Sequence, residues 1–384
     1  MFLLITVSLS WIPFPFSGTV AGPIERGPTP PAEREPTEVL REEIRELVLS
    51  KLDEHPSPGL AITMIHEGEV VWFEGLGIAD RKRKTPVTVD TVFSVCSISK
   101  SVAAWELMRQ VERGVLSLDA PVVPLVEGWR PRKRQNESDG ITLRRLLSHT
   151  AGLSVHGVGG VRVGRELPDL LSSLLGRASG SRRVDLIQSP GEAYRYSGGG
   201  FGVAQLLYEQ TTGRDFAEAI QESVILPLGM TASGFHWNEE RIAASATPYM
   251  PSGRTTSRLN YTQTAAAGFL TSSRDFARFA IACMPDHRTA ETEKVLKAAS
   301  IREMIQATPA SPYYGIGFAR KPIQGLMTFG HTGGDHGWTS ALRIAPQNGG
   351  ALIVLQNCYE AEPLSREVED LWAKWVVKVI LSER

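Results

Sequence analysis

Cysteine is scarce in this sequence, and so is any excess of charge. Cys96, Cys283 and Cys358 are its three cysteines, and no two of them form C-x-x-C. That count excludes a disulfide framework and a zinc knuckle, and leaves room for one bridge at most. Cys96 reads as a small buried apolar residue. Lys and Arg total 41 against 42 Asp and Glu, a formal net charge of −1. No global field therefore draws the chain to nucleic acid or to an anionic membrane. The basic run Arg81–Lys84 is short enough to read as a solvated turn. The eight histidines (55, 66, 149, 156, 236, 287, 331 and 336) include no H-x-x-x-H or H-E-x-x-H, so no metal site is expected. The G-x-S-x-G nucleophile elbow is missing, as is βαβ alternation, which argues against an α/β-hydrolase.

The apolar stretch Phe2–Ile12 is short and is followed by Pro13 and Pro15, so no stable membrane span is expected. It ends near Gly18-Thr19-Val20-Ala21, which reads as a secretory signal over 1–21 with cleavage after Ala21. A secreted or periplasmic protein follows from that reading, although the segment carries no Lys or Arg. Residues 22–36 hold five prolines among polar residues and read as a linker.

With 384 residues, 42% of them hydrophobic, the remainder is globular and large enough for two lobes. Thr37 caps a helix whose apolar positions are Leu40, Ile44, Leu47, Val48 and Leu52. Leu60–Ile65 and Glu69–Leu76 read as strands joined by a hairpin turn at His66-Glu67-Gly68. Strand signals return at Gly315–Ala319, Met327–Gly330, Thr339–Ile344 and Ala351–Gln356, with Asn348-Gly349 marking a hairpin. Val368, Leu371, Trp372, Trp375, Val376 and Val379 lie on one helical stripe near the C-terminus. The middle of the chain is mostly helical and loop-like. The expectation is an α/β (α+β) fold, with an antiparallel sheet built from both chain ends and a helical lobe inserted between them.

Three constellations carry chemistry. Ser97-Ile98-Ser99-Lys100 opens an amphipathic helix that stops at Gly114. In a helix, Ser97 and Lys100 share one face. A serine hydroxyl needs a base to become a nucleophile, and an enclosed lysine loses its proton more easily through desolvation. Tyr196-Ser197-Gly198 precedes a helical run, Phe201–Thr212, where a tyrosine held on a loop can relay a proton. His331-Thr332-Gly333-Gly334 continues the Met327–Gly330 segment, read as an edge strand along which a substrate can lie. Amides of Ser97 and of this strand could form an oxyanion hole. The bland alternatives are a capped helix, a core tyrosine and a glycine-rich loop with a structural histidine.

Taken in order, S-x-x-K, the Tyr-Ser loop and His-Thr-Gly resemble the motifs of the serine β-lactamase and penicillin-binding superfamily. The phrases Thr91-Val92-Phe93, Leu146–Leu153, Leu226–Met230 and Ala266–Ser272 are also similar, so the resemblance runs from about residue 38 to 380. The branch it looks like is that of class C β-lactamases, D-alanyl-D-alanine carboxypeptidases and family VIII esterases. The resemblance implies a β-lactamase/transpeptidase-like domain over 37–384. Its sheet lobe would span about 37–95 and 310–384, and its helical lobe about 96–309. It implies an acyl-enzyme on Ser97, with Lys100 as general base and Tyr196 as proton relay. His331 would take an electrostatic or proton role where many members have lysine. Ser97 and Gly334 would donate amides to the oxyanion, with Gly198, Thr332 and Gly333 near the substrate. No cofactor is needed, and the partner is a small-molecule or peptide substrate. Two departures stand out: Tyr-x-Asn is here Tyr196-Ser197-Gly198, and His331 replaces lysine. Both tilt the expectation toward a carboxypeptidase-like or esterase-like serine hydrolase. A β-lactamase and a non-catalytic, peptidoglycan-binding sensor remain the alternatives.

Overall fold

A computed structural model describes residues 36–52, 57–308 and 310–382. The expected leader and nearly all of the expected linker lie outside the described residues. Strands appear in chain order as β1 (Gly59–His66), β2 (Glu69–Asp80), β3 (Thr85–Pro86) and β4 (Val92–Ser94). They continue as β5 (Val161–Arg162), β6 (Leu259–Asn260), β7 (Leu270–Ser272) and β8 (Ala319–Ile323). The last are β9 (Leu326–Asp335), β10 (Trp338–Ala345) and β11 (Gly350–Gln356). Among the described residues, seven of them form one antiparallel sheet in the order β3-β2-β1-β11-β10-β9-β8. First and last strands of the sequence thus pair at its centre, Leu60 opposite Gln356 and Ile65 opposite Ala351.

Alternation along the central strands feeds two cores. Leu60, Ile62 and Met64 of β1, with Leu352 and Val354 of β11, pack outward. They meet Ile44 and Val48 of the helix Pro36–Leu52, and Val368, Trp372 and Val376 of the helix Glu362–Ser382. Ala61, Ile65, Ile353 and Leu355 face the other core, shared with the helical part of the chain. Burial on both faces is why these antiparallel strands read as near-continuous apolar runs.

The helical segment leaves the sheet at β4 and returns at β7, and these two strands pair with each other, Val92 opposite Ser272. Its entry and exit are thereby tied together. The helix Ser273–Ala282 then lies against β1 and β11. It therefore belongs with the sheet, although the expected helical lobe ran to about residue 309.

Two expectations change. Gly315–Gly317 is a turn, and the strand begins only at Ala319. Ile316 N–H donates to Met304 O (2.7 Å) and Gly317 N–H to Leu147 O (2.9 Å), so these backbone bonds go to the C-terminal ends of two helices and not to the sheet. The segment Met327–Gly330 is not an edge, because β8 covers it in register from Ile323 opposite Leu326 to Ala319 opposite Gly330. That pairing ends at Gly330, so His331–Asp335 does keep an open edge. The link between β10 and β11 is a four-residue turn, Pro346–Gly349, which closes the hairpin marked by Asn348-Gly349.

The outer helix is pinned by a buried ion group. Glu369 is 2% exposed and meets Arg343 of β10 at 3.1 Å and Lys321 of β8 at 2.9 Å. Removing the carboxylate strands the Arg343 guanidinium, which is itself buried. We expect Glu369→Ala to lower unfolding free energy by roughly 3–5 kcal/mol, read as a lower midpoint in urea titration.

Candidate active site

Cys96, Ser97 and Ile98 make a short 3-10 turn, preceded by Val95, that runs straight into the helix Ser99–Glu112. Cys96 sits at φ 50°, a left-handed conformation that costs a non-glycine residue about 1–2 kcal/mol. The turn is held from two sides. Val95 N–H donates to Phe269 O (3.0 Å), and Val95 O accepts from Ser340 Oγ of β10 (2.9 Å). Ser99 ties the helix start to the same segment, donating to Cys96 O (2.5 Å) and accepting from Phe269 N–H (2.9 Å). The Ser97 side chain is half-buried and opens on a cleft of about 400 Å³. Amides in the first turn of a helix have no partner within it, which leaves that of Ser97 suited to an oxyanion.

Lys100 is 2% exposed. Its Nζ lies 3.3 Å from Ser97 Oγ and donates to Ala266 O (2.7 Å), and it stands 5.0 Å above the Tyr196 ring and 5.7 Å from that of Phe201. The i, i+3 placement read from the sequence is therefore realised. Ser97, Lys100, Tyr196, His331, Thr332 and Gly334 all line the same cleft.

Tyr196 precedes the helix Gly198–Thr212, whose N-cap is Ser197. Ser197 Oγ accepts from Gly200 N–H (2.9 Å) and donates to Ser154 O (2.6 Å). All three glycines lie within this helix, which starts before the expected Phe201. Gly198 is not on the cleft wall. Its amide donates to His156 O (2.9 Å), and a Cβ there would lie 2.9 Å from that oxygen and 3.2 Å from Val158. The His156–Val158 loop, which does line the cleft, occupies the space an asparagine at this position would need.

Gly333 also faces away from the substrate space. A Cβ on it would lie 2.2 Å from Val95 O and 2.6 Å from Ser340 Oγ. Glycine is needed here so that β9 can close against the turn bearing Ser97. Trp338 is buried, stacked on Trp237 and edge-on to Phe93, and it shapes packing rather than the cleft.

His331 is buried, with Nδ1 2.5 Å from Thr332 O. A carbonyl only accepts, so Nδ1 carries the proton and Nε2 offers a lone pair; Nε2 is buried and has no partner. Burial first, and then Lys100, push the imidazole down to about 3. The ring is neutral near pH 7, so any part it plays is that of a neutral acceptor and not of a positive charge. All three cysteines are free and buried, and burial raises the Cys96 thiol far above its usual range, so it is no competing nucleophile.

Several cleft residues escaped the sequence reading. His156, Asp335, Tyr359 and Glu362 line it, and Tyr314 and His149 lie behind it, packed on His331 and Tyr196 respectively. His149 and Ala266 do fall within phrases already noticed, but Glu362 is the first residue of an ordinary amphipathic helix and gave no signal. Asp335 is engaged, accepting from Tyr261 Oη and lying 2.5 Å from His336 Nδ1. Among the described residues no cluster of His, Cys, Asp or Glu could hold a metal ion, and no helix is long and apolar enough to cross a membrane.

The depressed His331 makes a prediction with a definite sign. An unfolded chain protonates this residue near 6.5, and the folded protein only near 3. Its contribution to stability is complete above about pH 6.5 and is lost as pH falls toward 3. We expect the melting temperature to fall over that window, and to fall less steeply in His331→Gln.

A family model described as Beta-lactamase matches residues 44–374. Esterase EstB of Burkholderia gladioli is 33% identical over 187 residues, 46% of this chain and 47% of EstB, so the matched stretch spans about half of that relative. Penicillin-binding protein 4 of Amycolatopsis lactamdurans is 26% identical over 321 residues, 79% of this chain and 82% of that protein. Among solved structures, the octameric penicillin-binding protein homologue from Pyrococcus abyssi superposes with a TM-score of 0.72. It is 25% identical, over 88% of this chain and 77% of that one. Fold, motif order and family match agree: this chain belongs to the β-lactamase family of serine hydrolases.

Proposed function

We propose that the protein hydrolyses an ester or amide through an acyl-enzyme on Ser97. The observation that carries this is the buried Lys100 amine, 3.3 Å from the Ser97 hydroxyl and 5.0 Å above the Tyr196 ring in one cleft. Ser97 Oγ bonds to the substrate carbonyl carbon and gives its proton to Lys100 acting as a neutral amine, or to Tyr196 acting as a phenolate. The oxyanion rests on the Ser97 amide and on one from the open edge of β9, with Gly334 the candidate. The proton passes to the leaving group as its bond to carbon breaks. Water then attacks the acyl-enzyme, the acid is released and Ser97 regains its proton.

Two features favour an esterase-like or aminopeptidase-like reading over the carboxypeptidase and β-lactamase ones. Lys100 is the one Lys or Arg among the described residues lining the cleft, and it already serves Ser97. Asp335 and Glu362 line the same space, with Glu362 Oε1 3.2 Å from where a Gly334 Cβ would stand. A substrate ending in a free carboxylate meets repulsion there, while a neutral or ammonium-bearing one does not. At the other end, the His156–Val158 loop fills the place of the asparagine that would hold a β-lactam's acylamino group.

Intact-mass analysis after exposure to a fluorophosphonate, an activated ester and a β-lactam tests the reaction. We expect adducts on the first two at Ser97 and none on Ser97→Ala. Hydrolysis of p-nitrophenyl acetate should fall by roughly 10⁴-fold or more in Ser97→Ala and by roughly 10²- to 10⁴-fold in Tyr196→Phe. No adduct with any of the three reagents would leave the non-catalytic reading standing. The charge argument is tested by paired nitrophenyl esters, one with a quaternary ammonium group and one with a carboxylate. The cationic ester should have the higher kcat/KM, and Glu362→Gln should reduce that preference by roughly two- to fivefold.

A further inference from the structure

His149 belongs to a phrase that the sequence reading noticed but gave no task. It follows the helix Leu143–Leu147 and is 2% exposed, at φ 59°. A left-handed, non-glycine residue is costly, and such strain persists only where surrounding bonds impose it. The bonds here are specific. His149 O accepts the amide of Arg195 (2.7 Å), and His149 Nδ1 accepts the amide of Ser197 (3.1 Å). The residues immediately before and after Tyr196 are therefore both fastened to this one histidine.

The ring completes the hold. It lies over the Tyr196 ring at 4.2 Å and 34°, with Phe201 at 5.2 Å and Tyr314 at 4.7 Å packed around it. Nδ1 can accept from Ser197 only with its lone pair free, so the clamp requires a neutral ring. Burial, and then Lys100, hold the imidazole well below its ordinary range, which keeps it so. A leucine or alanine at this position offers no acceptor to Ser197 and no flat surface to Tyr196.

We propose that His149 is the positioning residue for Tyr196, fixing the phenol in the cleft through the two flanking amides and the stacked ring. The proposal rests on the reading that Tyr196 transfers a proton in the reaction. Its value lies in geometry, since a displacement of about 1 Å in a reacting group can cost roughly a hundredfold in rate.

A double-mutant cycle with Tyr196→Phe tests it, using p-nitrophenyl acetate and recording kcat and KM separately. His149→Ala removes both acceptor and ring. His149→Asn keeps an acceptor and tolerates the left-handed backbone, which secures a folded variant if alanine fails to fold. With Tyr196 present, kcat should fall roughly ten- to a hundredfold for alanine and less for asparagine, with KM changed under about threefold. In the Tyr196→Phe background, either substitution should lower kcat by less than about twofold, because the group being positioned is gone. An equal fractional loss in both backgrounds, with Tyr196→Phe itself impaired, overturns the clamp and leaves the role of Tyr196 intact. Full activity of Tyr196→Phe alone overturns that role, and the clamp with it.

Discussion

Everything at the site depends on how closely the Ser97 turn is allowed to approach the sheet. Val95 O accepts from Ser340 Oγ at 2.9 Å, and Gly333, paired with Ser340 across β9 and β10, leaves room for that carbonyl by having no Cβ. On the other side Val95 N–H and Ser99 Oγ are bonded to Phe269. The turn is thus clamped between sheet and helical segment, and its left-handed Cys96 is the local cost of the fit. The same approach aligns the first helical turn so that Lys100 reaches Ser97 from inside the protein. It also sets the open edge of β9 beside the serine.

A second constraint is electrical. One buried lysine amine lies in the cleft, and every imidazole near it is held neutral. His331 and His149 are both depressed, by burial first and Lys100 next, and the partly buried His156 follows the same order. Neutral rings keep the lysine from facing like charge, and they leave ring nitrogens available as acceptors. His331 binds its own strand through Nδ1 and keeps Nε2 bare, whereas His149 accepts through Nδ1 and so carries its proton on Nε2. The two histidines therefore hold opposite tautomers around Tyr196, each fixed by one backbone group.

The architecture was largely legible because it rests on local signals. Apolar runs marked β1, β2, β10 and β11, an amphipathic stripe marked the last helix, and Gly114 marked the end of the Ser97 helix. Gly315–Gly317 was misread because its small apolar pattern suits a strand, while its backbone bonds go to Met304 and Leu147, which no local pattern encodes. The edge reading of Met327–Gly330 failed for a similar reason. Ala319–Ile323 carries Arg320, Lys321 and Pro322 between its apolar ends and so shows no strand pattern, and it becomes a strand through its pairing with β9.

By itself the sequence determined the chemical groups and their order: a serine and lysine one helical turn apart, a tyrosine before a helix, and a histidine-glycine strand. Helical spacing and strand alternation are properties of the backbone, so those local placements required nothing else. Packing between elements settled which groups share a space and which merely make room. It turned Gly198 and Gly333 from substrate contacts into points of close approach. It also brought Glu362 and Asp335 to the cleft, and His149 beneath Tyr196, from segments far apart in the chain. Contacts of that kind arise when separate elements pack together, and no periodicity within any one element records them.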